Sequence, residues 1–229
     1  MISEPPRAAR FFGTGCKWLA LGSACAVFAV ACLGGDRWRL ALRYERAALA
    51  DGEWWRIVTA HLVHLGWVHA ALNLVGLALC LSLATQAGHS RGERTLGSVA
   101  TGPSASASAG LDSVWSALGV LILLMAGVSG GLWIFSPGIV HYVGFSGVLY
   151  GLLVLVLWPQ RRDPWMAGAL ALVLAWMAWQ QIAGPMASEE RMIGGAIVGA
   201  AHVYGVATAL AWLAAVSYTH LRAHETPEH

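Results

Sequence analysis

Apolar residues in this chain come in long unbroken blocks rather than as one stripe along otherwise polar helices. Six blocks stand out, over about 17–35, 66–86, 113–135, 146–160, 164–184 and 192–215. A helix needs about 20 apolar residues to cross the hydrocarbon of a bilayer, with a range of roughly 17 to 25. The pattern therefore predicts an all-α polytopic membrane protein with six spans, the fourth of them short. Arg7, Arg10 and Lys17 flank the first block, which is too long and too weakly punctuated for a cleaved signal peptide, so a retained span is expected there.

Between the blocks the chain changes character. Residues 87–112, "AGHSRGERTLGSVATGPSASASAGLD", are rich in Ser, Ala and Gly and predict a low-complexity, flexible cytoplasmic linker. The stretch "DRWRLALRYERAALADGEWWR" mixes Trp38, Leu40, Leu42, Tyr44, Trp54 and Trp55 with arginines, which predicts structure lying in the membrane interface. The end, "VSYTHLRAHET" from 216 to 226, resembles the conceptual translation of a sequencing-library transposon adapter. The expectation is that 216–229 is an artefact tail after about Ala215, and that His220, His224 and His229 carry no function. No internal repeat is visible, so the repeat logic of transporters finds no foothold.

Composition sharpens the class. Hydrophobic residues make up 57% of the 229 positions and charged ones 11%, where a soluble domain carries about a quarter. A net charge of +2 gives no basis for nucleic acid as a partner. Basic residues gather ahead of the first span, between the second and third (Arg91, Arg94) and between the fourth and fifth (Arg161, Arg162), whereas Glu189 and Glu190 face one Arg191 after the fifth. The positive-inside rule then places residues 1–16 in the cytoplasm. The five arginines of the first external loop argue the other way, but four acids nearly balance them. Cys16, Cys25, Cys32 and Cys80 all fall in or beside spans and are expected to be buried free thiols.

Polar side chains at membrane depth are costly and mark candidate sites. His69 and Asn73 in "HAALN" are four apart and share a helical face. Gly195, Gly199 and His202 fall at i, i+4 and i+7, predicting one stripe of small residues that admits a neighbouring backbone. Gly147 and Gly151 offer a matching pair on the fourth span, beside the pair Ser146 and Tyr150. Ser146 and His202 can thus meet as nucleophile and base, a hydroxyl needing such a base within about 2.6 to 3.2 Å. With no carboxylate deep in any span, the expectation is a dyad, with Tyr150 stacked on the imidazole. The Ser146 N–H, His69 and Asn73 are available as oxyanion donors. His61, His64 and His69 form H-x2-H-x4-H without an HExxH or a helical carboxylate partner. No metal site and no cofactor is expected, His61 and His64 are read as loop-structural, and His89 and His141 as loop residues without a role.

Together "EWWR" (53–56), "HAALN" (69–73), "GFSG" (144–147) and "GAIVGAAHVYG" (195–205) resemble the rhomboid family of intramembrane serine proteases, over roughly residues 53–209. The resemblance implies a six-helix bundle over 17–215 with a short fourth helix, Ser146 as nucleophile and His202 as general base. It also implies His69 and Asn73 in the oxyanion hole, Tyr150 packed on the histidine, and Trp55 with Arg56 anchoring the first loop. Gly144, Gly147, Gly199 and Gly205 are supporting positions, and the glycine expected before Gly205 is replaced by Tyr204. Within the family, "GEWWRIVTAHLVHLGWVHAALNLVGLAL" is most similar to rhombosortases. That subfamily implies exported substrates with a C-terminal Gly-Gly, a transmembrane segment and a basic cluster. It also implies a bacterial inner membrane, with the active site opening to the periplasm. A conventional rhomboid protease, or an inactive rhomboid-like protein that binds membrane segments, are the alternatives.

Overall fold

A computed structural model describes residues 14–95 and 105–223, with side-chain surroundings over 22–84 and 116–218. The readings placed on Arg7, Arg10, Cys16, Lys17, His89, Arg91, Arg94, His220 and the end of the tail lie outside these described side chains. The chain folds almost wholly as helices: α1 (Thr14–Leu33), α2 (Gly35–Leu42), α3 (Arg46–Ala50), α4 (Arg56–Thr59), α5 (Trp67–Thr95), α6 (Ala105–Phe135), α7 (Ser146–Leu157), α8 (Pro164–Ala183), α9 (Ala187–Ile193) and α10 (Gly199–Ala223). Two short strands, β1 (Tyr44–Glu45) and β2 (His141–Tyr142), pair antiparallel with Tyr44 opposite Tyr142. Among the described residues, four helices are long and apolar enough to cross a membrane, over Trp67–Ala84, Ser116–Phe135, Pro164–Ala183 and Gly199–Tyr218. Two shorter apolar stretches, Gly22–Leu33 and Ser146–Gln160, accompany them. This is a multi-pass membrane protein.

At the centre stands α7, packed against α10 above all and also against α5, α6 and α8. Twelve residues at about 1.5 Å each reach only ~18 Å, well short of a ~30 Å hydrocarbon core. Its apolar surface is spent on neighbouring helices: Gly147, Val148, Leu149, Gly151, Leu152, Val154 and Leu157 are all buried. By contrast α8 buries only Leu170 and Gln180, so most of its apolar surface is left for lipid.

Glycines decide how close α7 and α10 come. A side chain on Gly205 would collide with the carbonyl oxygen of Gly147, and one on Gly151 would meet the carbonyl of Gly205. The stripe expected at Gly195 and Gly199 is therefore corrected. Gly195 lies in the loop before α10, against Leu65, and Gly199 faces Gln181 of α8. The apolar run 192–215 hid a break, because α9 ends at Gly194 in the left-handed conformation and α10 starts only at Gly199. Tyr204 has its own socket. Its ring occupies the space over Gly131 of α6, its hydroxyl meets Ser136 Oγ at 2.8 Å, and Thr208 one turn on fills the space over Gly127.

The linker expected over 87–112 is narrower among the described residues, since α5 continues to Thr95 and α6 begins at Ala105. Alanine, frequent here, is the strongest helix former, so low complexity did not prevent helix. Among the cysteines, Cys80 is buried and Cys32 partly so, but Cys25 is exposed. A thiol on a span's outer face needs no protein cover.

The segment between α1 and α5 is tied down by two arginines. Arg46 donates to the carbonyls of Leu132, Trp133, Ser136 and Ile139, at and beyond the C-terminal end of α6, where carbonyls lack helical partners and a cation is favoured. Arg56, buried, pairs with Glu53 at 2.6 Å and donates to the carbonyls of Leu40 and Arg43. Trp38, Trp54, Trp55 and Trp67 remain exposed, as side chains that are apolar at one end and wet at the other do at a membrane interface.

Candidate active site

Ser146 opens α7, directly after a turn that only a glycine makes easily. Gly144 has φ +112°, and a Cβ there would run into the His69 ring. The next residue, Phe145, caps the helix with its side chain buried in the core. The Ser146 hydroxyl is thereby held at the helix N-terminus, where backbone N–H groups have no intrahelical partner and negative charge is favoured.

From α10, His202 reaches the same point. Its Nε2 lies 3.0 Å from Ser146 Oγ, and Tyr150, one turn along α7, stacks on its ring with centroids 4.4 Å apart and planes 19° from parallel. His202 Nδ1 is buried and has no hydrogen-bond partner among the described residues. The serine–histidine pair thus stands without a carboxylate behind it.

On α5, Asn73 donates one amide hydrogen to the His69 carbonyl at 3.1 Å, leaving its second for the cavity. His69 Nδ1 faces the Leu65 N–H at 3.4 Å, which assigns the ring proton to Nε2, the nitrogen beside Gly144. His69, Asn73, Ser146, Tyr150 and His202 all line one cavity of about 710 Å³, closed on its far side by α8 and the segment before α10.

Other candidates go elsewhere. His61 is fully buried outside the spans, with Nδ1 3.3 Å from the Gly144 carbonyl and Nε2 3.0 Å from Ser129 Oγ. Burial pushes its pKa down to about 4. His64 packs between Phe28 and His69, with centroids 4.3 and 5.1 Å away. Neither shares the cavity, so the three histidines do not converge. Gly147 sits against the Ala201 carbonyl and the Tyr142 hydroxyl. Trp55 is exposed while Arg56 holds the loop, so of that pair the arginine carries the anchoring contacts. His141 lies in β2 at the cavity wall.

Three features escape a reading of the sequence: Tyr142 beneath the nucleophile, Arg46 on the α6 carbonyls, and the Gly127 and Gly131 sockets. Only the four-residue spacing of Gly127 and Gly131 offered a signal, of the kind that marks close helix contact.

The family model for the Rhomboid domain matches residues 51–219, most of the chain and a span that contains Ser146, His202, His69 and Asn73. The chain belongs to the rhomboid family. Rhomboids are intramembrane serine proteases, and membership supports a hydrolase. No curated protein matches the chain.

Proposed function

We propose that this rhomboid is an active intramembrane serine endopeptidase of the rhombosortase type. The observation that carries the reading is the 3.0 Å approach of His202 Nε2 to Ser146 Oγ, inside a cavity large enough for an extended peptide segment. His202 takes the Ser146 proton as Oγ bonds to the scissile carbonyl carbon. The oxyanion that forms is met by the Ser146 N–H, His69 Nε2–H and the free Asn73 amide hydrogen, donors of a kind worth roughly 2.7 to 4 kcal/mol each. His202 then gives its proton to the leaving amine as the C–N bond breaks. Water, deprotonated by the same imidazole, attacks the ester and releases the new carboxylate and Ser146. Tyr150 keeps the ring in plane for both transfers, a task given to a carboxylate in three-residue systems.

The rhombosortase assignment draws on the run from Gly52 to Leu79 and implies exported substrates that carry Gly-Gly before a C-terminal transmembrane segment and a basic cluster. The setting is a bacterial inner membrane, N-terminus in the cytoplasm and cavity open to the periplasm. The test is mass spectrometry of the product released from a co-expressed Gly-Gly-tailed substrate. A single new C-terminus near Gly-Gly, absent with Ser146→Ala, is the expected result. Equal cleavage of a reporter lacking Gly-Gly would assign the chain to conventional rhomboids instead. Release that persists with Ser146→Ala would end the enzyme reading.

A further inference from the structure

Ser146 is held by more than its helix. Tyr142, four residues earlier in β2, is 5% exposed and lines the catalytic cavity. Its hydroxyl donates to the Gly144 carbonyl at 2.7 Å. A Cβ on Gly147 would stand 3.2 Å from the same oxygen. One oxygen thus bonds the residue two before the nucleophile and packs against the residue after it. We propose that Tyr142 is a positioning residue, whose hydroxyl clamps the Gly144–Gly147 turn and so fixes Ser146 Oγ in reach of His202 Nε2.

Three further contacts make the clamp rigid. The Tyr142 backbone is paired with Tyr44, itself wholly buried, so the ring is set from the segment between α1 and α5. Its ring lies edge-on to His61, with centroids 5.5 Å apart, and His61 Nδ1 lies 3.3 Å from the Gly144 carbonyl. The Tyr142 hydroxyl therefore holds that carbonyl away from the cavity, where it would repel the negative charge that develops on a substrate oxygen. Burial raises the phenol's pKa, so the hydroxyl keeps its proton and remains a donor at neutral pH.

The inference rests on the protease reading, and the experiment separates the two. The full chain, wild type and Tyr142→Phe, is reacted in detergent micelles with a fluorophosphonate probe, which bonds to an activated serine oxygen with loss of fluoride. Steady-state cleavage of a Gly-Gly-tailed reporter is measured beside it. Ser146→Ala is the blank. A wild type that labels no faster than the blank sinks the protease reading and this proposal with it. Given a reactive wild type, Tyr142→Phe should label at least about tenfold more slowly and lose kcat by a similar factor with KM unchanged, because ångström-scale misplacement of reacting groups can cost ~100-fold. Its melting temperature should stay near that of the wild type. Unchanged labelling, a change confined to KM, or a loss that tracks a collapse in melting temperature each overturns the proposal.

Discussion

At the scale of single residues, the site depends on how an imidazole is held without a carboxylate. His202 has Tyr150 on its face and Ser146 at its Nε2, so ring orientation comes from stacking. Aromatic pairing is worth roughly 0.5–1.5 kcal/mol beyond area, which corresponds to up to about tenfold in rate. Tyr150→Phe should therefore cleave a reporter at near wild-type kcat, while Tyr150→Ala should fall about tenfold; equal effects would show that the hydroxyl matters and the ring face does not. The meeting of Ser146 and His202 was legible because a histidine is costly at membrane depth and the two sit on helices with small-residue neighbours. Tyr142 was not, since a tyrosine in a loop has many uses and its hydroxyl's partners are backbone atoms that a sequence does not display.

Among the helices, small residues act as sockets rather than as a uniform stripe. Gly205 takes the Gly147 carbonyl, while Gly131 and Gly127 take Tyr204 and Thr208. Gly205→Ala should destabilise the fold by roughly 1–3 kcal/mol, the usual cost of overpacking, and reduce activity by pushing α10 and His202 away from Ser146. Gly199→Ala faces only the mobile end of Gln181 and should melt within a degree or two of the wild type. If thermal unfolding in micelles ranks the two the other way, the close contact has been put on the wrong glycine. Hydropathy alone could find the span but not the register, because an apolar run records what faces lipid and says nothing of where a helix begins. That is why 192–215 read as one helix although residues 194–198 interrupt it. Arg46 makes a parallel case: Arg46→Ala should free the α6 end from the first loop and lower the melting temperature, an effect that counting arginines by membrane side could not anticipate.

For the molecule as a whole, two histidines outside the spans contribute to its response to acid. Burial lowers His61 to about 4, and burial followed by the neighbouring His69 and His61 lowers His64 to about 3, both from 6.5. Below about pH 6.5 the unfolded chain takes up protons that the folded one refuses, so stability is full above that pH and declines toward pH 4. For His61 alone the loss by pH 4 is roughly 3 kcal/mol, at about 1.4 kcal/mol per unit. Melting temperature should fall across that window, and His61→Gln should flatten the fall; a pH-independent wild type would contradict the buried neutral rings. The cover around α7 has a consequence of a different sort. A helix packed on most sides by its own protein meets little bilayer, so the nucleophile travels with an internal solvent that changes little from one membrane to the next. Varying acyl-chain length should then alter how fast a membrane-borne substrate is cut while leaving probe labelling of Ser146 unchanged, which makes substrate entry, and not the chemical step, the part of this protein that its host lipid can tune.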